Sequence, residues 1–350
     1  MGLKPIAICY YLLYCSLHTY QMKAIIITQP GDPEVLKPEE RPTPIPSPGE
    51  VLIKVSAAGL NRLDIYQRKG NYPAPQGAPQ DIPGLEVAGV ISATGENVER
   101  WKVGDKVCAL IAGGGYAEYC VVPEGQCLPV PDGFTFEEAA SLPETYFTIW
   151  YNVYRLGKLK AGESLLVHGG SSGIGISAIH IATALGSNVY ITAGTDEKCA
   201  FCLEQGAAGA INYNTEDFTE KIKSFTGGRG VDVILDMIGA KYFPGNIASL
   251  ADDGRLVFIN TMQGREAQVD LSVIMRRRLT ITGSTMRSRE PEFKSQLAYE
   301  VEQNIWPLLN ARKIKPVIHR VFDAADAAEA HKLMESSTHS GKIILRFQAT

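Results

Sequence analysis

Residues 165–180 read LLVHGGSSGIGISAIH. Four apolar-leaning positions run into a burst of glycine and serine, and a small-residue helix follows. A glycine turn between a strand and a helix is the context in which such a motif points to phosphate binding. Free backbone N–H groups and the positive helix end face the anion there, and small side chains let it approach. The letters are an imperfect GxGxxG. Gly170 and Gly175 match, Ser172 stands at the middle glycine, and Gly173 follows it. Serine is small enough for the turn, and its hydroxyl can bond a phosphate. Ser171 and Ile174 complete the loop, and an ordinary βα turn is the plainer alternative.

The segments on either side set the architecture. After about Glu144, the stretches SLLVHG, NVYITA, GAINY, VDVILDMIG and GRLVFIN read as buried strands, each followed by a helix-length segment or a loop. That rhythm predicts a parallel, doubly wound sheet, with RRLTITGST (277–285) as its last strand. Before it, AIIIT, EVLIKVSAAG, EVAGVISATG, DKVCALI and YAEYCVV alternate between Pro, Gly and Asp turns, with one helix candidate at 61–70. This half predicts an antiparallel, partly closed β domain. After a long amphipathic helix (EFKSQLAYEVEQNIWPLLNARK), the closing strand–helix–strand is expected to rejoin it. The divisions expected are 22–145, 146–288 and 289–350, behind an N-terminal extension at 1–21.

The chain has 350 residues, which favours two domains over one core. A net charge of −4 argues against a general nucleic-acid binder. The run Arg276-Arg277-Arg278 reads as a solvated patch beside a strand. Seven cysteines form no disulfide framework, and the lone CxxC at Cys199 and Cys202 is weak evidence for metal or redox chemistry. A reducing cytoplasmic compartment fits best. The apolar run in residues 1–21 is too short to span a bilayer and lacks a cleavage site. It reads as an extension foreign to the fold.

The strand after the glycine turn bears on the nucleotide. An NAD site would place an acidic residue about 20 residues on, against the ribose hydroxyls. Here NVYITA ends in Gly194-Thr195, and Lys198 lies one helical turn beyond. A neutral tip plus a lysine suits the 2′-phosphate of NADP(H), while Asp196 and Glu197 read as helix-capping residues. Tyr213 is expected to flank the same phosphate or the adenine. His168 and His180 read as packed histidines without a chemical role.

In order, MKAIIIT, GLNRLDIYQRKGNYP, PGLEVAGVISATGENVERWKVGDKV, GGGYAEY, VHGGSSGIG, TAGTDEK, INY and HSGKIIL resemble the medium-chain dehydrogenase/reductase superfamily. The similarity runs from Met22 to Phe347 and is closest to the zeta-crystallin-like NADPH:quinone oxidoreductases. It implies an α/β fold: a GroES-like, partly closed β domain plus a doubly wound Rossmann domain. It departs from the zinc branch, which would put a cysteine at Asn61 and a histidine at Leu85, and whose four-cysteine lobe is missing. Two of the catalytic zinc ligands are thus gone, and a metal-free reductase is expected. Glu86 is then a buried structural carboxylate.

Without a Lewis acid the acceptor must already be electrophilic, as a quinone or an activated alkene is. The resemblance places Asn61 near the nicotinamide, and Asp64, Tyr66 and Tyr72 along the same cleft. Asn61 is expected to polarise a carbonyl and Tyr72 to bond the acceptor oxygen or the nicotinamide edge. Asp64 serving only the backbone, and Tyr66 serving only the core, are the plain alternatives. The resemblance also implies cofactor contacts from Thr148, Phe258, Ile259, Asn260, Ser284, Thr285 and Lys342, and a homodimer paired near RRLTITGST. Two other readings stand beside quinone reduction. One is a reductase of enals, enones or enoyl thioesters, which would need a more basic entrance than Arg68-Lys69 supplies. The other is an NADPH-binding protein without turnover, such as a redox sensor or an RNA-binding partner. The acidic isoelectric point weighs against RNA.

Overall fold

The computed structural model of the protein describes residues 20–347. The expected extension at 1–21 lies outside the described residues except for Tyr20 and Gln21, and Gln21 already opens the first strand. Seven strands come first: β1 (Gln21–Ile27), β2 (Leu36–Pro42), β3 (Glu50–Leu60), β4 (Glu86–Thr94), β5 (Lys106–Leu110), β6 (Tyr119–Pro123) and β7 (Cys127–Pro129). Their mutual pairings are all antiparallel. Strands β1 and β2 form a separate ribbon, and the others build one curved sheet around a core that includes Val51, Ile53, Val87 and Ile91.

Six more strands form the second sheet: β8 (Ser164–His168), β9 (Asn188–Ala193), β10 (Gly209–Asn212), β11 (Val231–Asp236), β12 (Leu250–Phe258) and β13 (Thr280–Gly283). Their order is β10-β9-β8-β11-β12-β13, and every pairing is parallel. Strands β8 and β11 are buried at every position, as strands covered by helices on both faces must be. The order reverses between them. A crevice therefore opens beyond their carboxyl ends, where ligands of such sheets lie. Strand β13 is shorter than the sequence suggests. Residues Leu271–Arg277 fold as a helix, and Arg276 and Arg277 close its last turn, where cations meet the negative helix end. The arginine run thus ends a helix and lies just before β13, with Arg276 and Arg278 exposed. Arg277 and Arg278 pair with Asp252 and Asp253.

Strands β14 (Ile318–Asp323) and β15 (Lys342–Arg346) return to the first sheet, giving the order β14-β15-β3-β4-β5-β7 with β6 also on β3. In that register Ile343 lies opposite Leu60, which brings Lys342 beside Asn61. Four helices position the crevice: α1 (Arg62–Arg68), α2 (Pro143–Ile149), α3 (Gly173–Ala184) and α4 (Asp196–Glu204). Helix α2 continues into a π-helical stretch, Trp150–Leu156. Cys199 and Cys202 sit buried on α4 as free thiols.

Candidate functional site

The glycine stretch turns from β8 into α3. A Cβ on Gly170 would run into Ile191, and one on Gly175 would fall 2.5 Å from Gly170 Cα. These two glycines therefore let the turn and helix press onto the sheet, and they do not line the crevice. Gly169, at φ +72, and Ser171, Ser172, Gly173 and Ile174 do line it. The Ser172 hydroxyl accepts from Gly175 N at 3.1 Å and donates to the Gly169 carbonyl at 2.7 Å. That hydroxyl is spent on capping the helix, so anion contact here falls to backbone N–H groups. Gly173 and Ile174 supply them, because first-turn N–H groups have no intrahelical acceptor.

At the tip of β9, Gly194 lines the crevice beneath the Tyr213 hydroxyl. A Cβ there would lie 2.6 Å from that oxygen. Thr195 stands back from the crevice and caps α4 by accepting from Lys198 N at 3.2 Å. Lys198 lines the crevice and donates to the Ser337 carbonyl, while Arg62 reaches the Ser337 hydroxyl at 3.4 Å. His339 completes this corner. Burial first, then the charges of Lys198, Arg62 and His319, pull its imidazole down to about 4. Its Nδ1 is buried with no partner among the described residues. Lys198 and Arg62 thus place two cations on Ser337 at this corner of the crevice. Asn212 Nδ2 takes up the nearby Asp196 carboxylate at 2.7 Å.

At the other end, Asn61, Tyr66, Tyr72, Glu144, Thr148, Arg287 and Lys342 share one wall. Lys342 Nζ donates to Glu86 Oε1 (2.5 Å), Asn61 Oδ1 (2.8 Å) and the Leu60 carbonyl (3.2 Å). Asn61 Nδ2 in turn donates to Glu86 Oε1 at 2.9 Å, and Glu144 N donates to Glu86 Oε2 at 2.8 Å. Glu86 is fully buried and structural, as expected, but Asn61 is held at both ends of its amide. Asp64 does not line the crevice. Its carboxylate is buried behind Asn61, accepting from Asn61 N (2.8 Å), Gly84 N (3.0 Å) and the Tyr116 hydroxyl (3.3 Å), and burial raises it to about 6. It satisfies the backbone at the start of α1 and braces that loop.

Arg287 leaves the loop after β13 and lies over the Tyr72 ring at 5.3 Å. It also donates to Gln67 Oε1, at 2.7 Å, and to the Ala112 carbonyl, also at 2.7 Å. Burial raises the Tyr72 phenol, with Glu144 adding and Arg287 opposing. Ser284 hydroxyl donates to Asn152 Oδ1 at 2.7 Å. Phe258, Ile259, Asn260, Ser284 and Thr285 all line the crevice near the switch point. His168 is buried and bonded at both ring nitrogens. His180 is half-buried on α3 and bonds Gln205, not core. Sequence reasoning missed Arg62, Glu144, Asn152, Arg287 and His339. Each is a near neighbour in sequence of an expected site residue, Arg62 of Asn61, Glu144 and Asn152 of Thr148, Arg287 of Thr285 and His339 of Lys342, and what sequence reasoning lacked was the tertiary partners that turn them to the crevice. Among the described residues no three His, Cys, Asp or Glu side chains gather as metal ligands would.

The crevice encloses about 1480 Å³ and runs from this wall to the Lys198 corner. That exceeds the ~300–1,000 Å³ of ordinary small-ligand pockets. It is long enough for an extended dinucleotide. The alcohol dehydrogenase GroES-like domain matches residues 47–132, and the zinc-binding dehydrogenase family matches residues 173–301. A quinone oxidoreductase of Rattus norvegicus is 34% identical over 93% of this chain and 97% of its own length. The chain belongs to the medium-chain dehydrogenase/reductase superfamily. It is an oxidoreductase of that superfamily built to hold a nicotinamide cofactor, and the zeta-crystallin-like quinone oxidoreductases are its kin. Three solved structures are similar to it. A mycobacterial protein in complex with NADPH is 32% identical, with a TM-score of 0.82 over 93% of this chain and all of that one. An NAD-dependent alcohol dehydrogenase is 33% identical, with a TM-score of 0.83 over 93% and 100%. The CurK enoyl reductase is 28% identical, with a TM-score of 0.81 over 94% and 100%. Among the described residues no helix is long and apolar enough to cross a membrane.

Proposed function

We propose that the protein is an NADPH:quinone oxidoreductase that works without a metal. The observation carrying the cofactor choice is the corner of Lys198, Arg62 and the unpartnered His339 Nδ1 at the tip of β9, where Asp196 is already engaged by Asn212. A dianionic 2′-phosphate meets two cations there, and the 2′-hydroxyl of NAD finds no free carboxylate at the tip. When bound, the reduced nicotinamide supplies the hydride.

The rest of the chemistry belongs to the wall. Asn61 and Leu85 occupy the positions where the zinc branch would offer a thiolate and an imidazole, so the donor set suits no Lewis acid. An acceptor that needs none, such as a quinone, matches this wall. Thr148 and Ser284 orient the nicotinamide end, and Tyr72 with Arg287 closes the acceptor side. The likeness to an enoyl reductase supports a second reading, reduction of an activated alkene beside a carbonyl. Turnover of NADPH with 1,2-naphthoquinone but not with 2-enals or enoyl-CoA supports the first, and the reverse supports the second. Tight NADPH binding with no turnover of any of them would leave a cofactor-binding protein. Strand β13 is the outer strand of its sheet, with Leu271 and Met275 exposed on the helix before it, and two copies pairing there complete the proposal.

A further inference from the structure

Reduction of a quinone needs a proton as well as a hydride, and the wall offers few groups to give one. Lys342 has three ammonium hydrogens and three acceptors, namely Leu60 O, Asn61 Oδ1 and Glu86 Oε1. Asn61 Nδ2 is directed to Glu86 and the Gly59 carbonyl. Asp64 is sealed behind the wall by its three donors. Glu144 differs from all of these. It sits in the first turn of α2, lines the crevice with Asn61, Tyr72 and Thr148, and anchors its backbone N–H on Glu86. Among the described residues its carboxyl oxygens have no hydrogen-bond partner. A half-buried carboxyl held beside the fully buried Glu86, and left without donors, favours its neutral form.

We propose that Glu144 is the general acid of this site, donating its carboxyl proton to the oxygen of the acceptor as the hydride arrives. The inference rests on the proposed reductase reading. In balance, the quinone gains a hydride from the reduced nicotinamide and one proton from Glu144. Both quinone C=O groups become C–OH groups, one hydrogen arriving with the electron pair as hydride and the other as the Glu144 proton, and the Glu144 carboxylate is reprotonated from solvent. The groups facing Glu144 set its proton affinity. Burial and the Glu86 carboxylate push it up, Asp64 adds, and Lys342 and Arg287 oppose, leaving it at about 8. Tyr72, on the same wall, is held above the ordinary phenol range and is a poorer donor near neutral pH.

The test pairs a titration with kinetics. In cofactor-free protein, pH-difference infrared spectroscopy should show a carboxyl C=O band titrating near pH 8, absent in Glu144→Gln. The bands of Asp64 and Asp236, both raised to about 6, serve as internal standards. In steady state, kcat of the wild type should fall above pH 8. Glu144→Gln should lower kcat about 100-fold, the low end of general acid catalysis, abolish that pH dependence and leave NADPH binding within twofold. Glu144→Asp should restore part of both. A Gln variant with the wild-type rate and pH profile overturns the proposal, and so does one that loses NADPH affinity in parallel with kcat. If the protein reduces enones and not quinones, the same variants are judged on the enone. If no acceptor turns over, the quinone reading fails by itself. The infrared band near pH 8 then still supports a protonated Glu144, and its absence overturns it.

Discussion

Lys342 and Glu86, 256 residues apart in the chain, meet as a buried ion pair at 2.5 Å under the wall of the crevice. The pair exists because β15 returns to pair antiparallel with β3, placing the last strand against Leu60. It fastens the end of the chain to the segment that carries Asn61, and through Glu144 N it also holds the start of α2.

Removing one partner of this pair should be costly. Lys342→Ala leaves Glu86 buried with an uncompensated charge, and a loss of about 3–5 kcal/mol is expected. Urea unfolding measures it directly. Replacing both residues by leucine should cost less than either single change, since no charge is then stranded. A double variant less stable than Lys342→Ala would show that the pair does more than neutralise itself.

Gly175→Ala tests the packing role of the glycine turn. The new Cβ would meet Gly170, a backbone neighbour that cannot rotate aside. The helix must back away from the sheet, and a cost of about 1–3 kcal/mol follows. Its melting temperature should fall and its NADPH KM should rise together, because the same shift displaces the N–H groups of Gly173 and Ile174. Gly162→Ala, whose Cβ would meet nothing within 4 Å but whose φ is +84, provides a control for backbone strain alone.

The parallel sheet was legible because its strands are continuous apolar runs closed by glycine turns, and periodicity reports burial on both faces. The turn at 169–175 was legible as a glycine-rich strand-to-helix turn, but not the division of labour within it. Which glycine faces the ligand and which faces Ile191 depends on a neighbouring strand. Asp64 illustrates the same gap. Its spacing from Asn61 fits a cleft residue and a helix cap equally well, and only the N–H groups of Asn61 and Gly84 decide between them. Glu144 and Arg287 left no trace in pattern, since an isolated charge becomes a site residue only through the partners that tertiary contact gives or withholds.

Lys198→Ala should raise the KM for NADPH about tenfold and change that for NADH less than twofold. One charge-assisted contact to a phosphate is worth roughly this much. Arg62→Ala should act in the same direction, as both cations flank Ser337 at the crevice mouth. Equal effects on the two cofactors would remove the 2′-phosphate from this corner.

His168 makes a prediction about acid stability. It is buried between Thr192 and Asn246, and burial lowers it to about 4 from an ordinary value of 6.5, the Asn246 bond opposing. The native imidazole therefore stays neutral below pH 6.5, where the unfolded chain takes up a proton. Since the unfolded state binds more protons in that window, stability must fall as pH drops from 6.5 toward 4. At pH 5 the contribution is about 2 kcal/mol. Asp64 and Asp236 act oppositely, because carboxyls raised to about 6 favour the native state as pH falls through the same range. The His168 share is isolated by comparison with His168→Gln, which keeps a donor and an acceptor but does not titrate. Urea unfolding at pH 7 and pH 5 should show the wild type losing about 2 kcal/mol more than the variant over that interval. An equal loss in both would mean that His168 is already protonated in the native state at pH 5, its charge facing Asp236 through Asn246, whose Nδ2 donates to the Asp236 carboxylate at 2.8 Å.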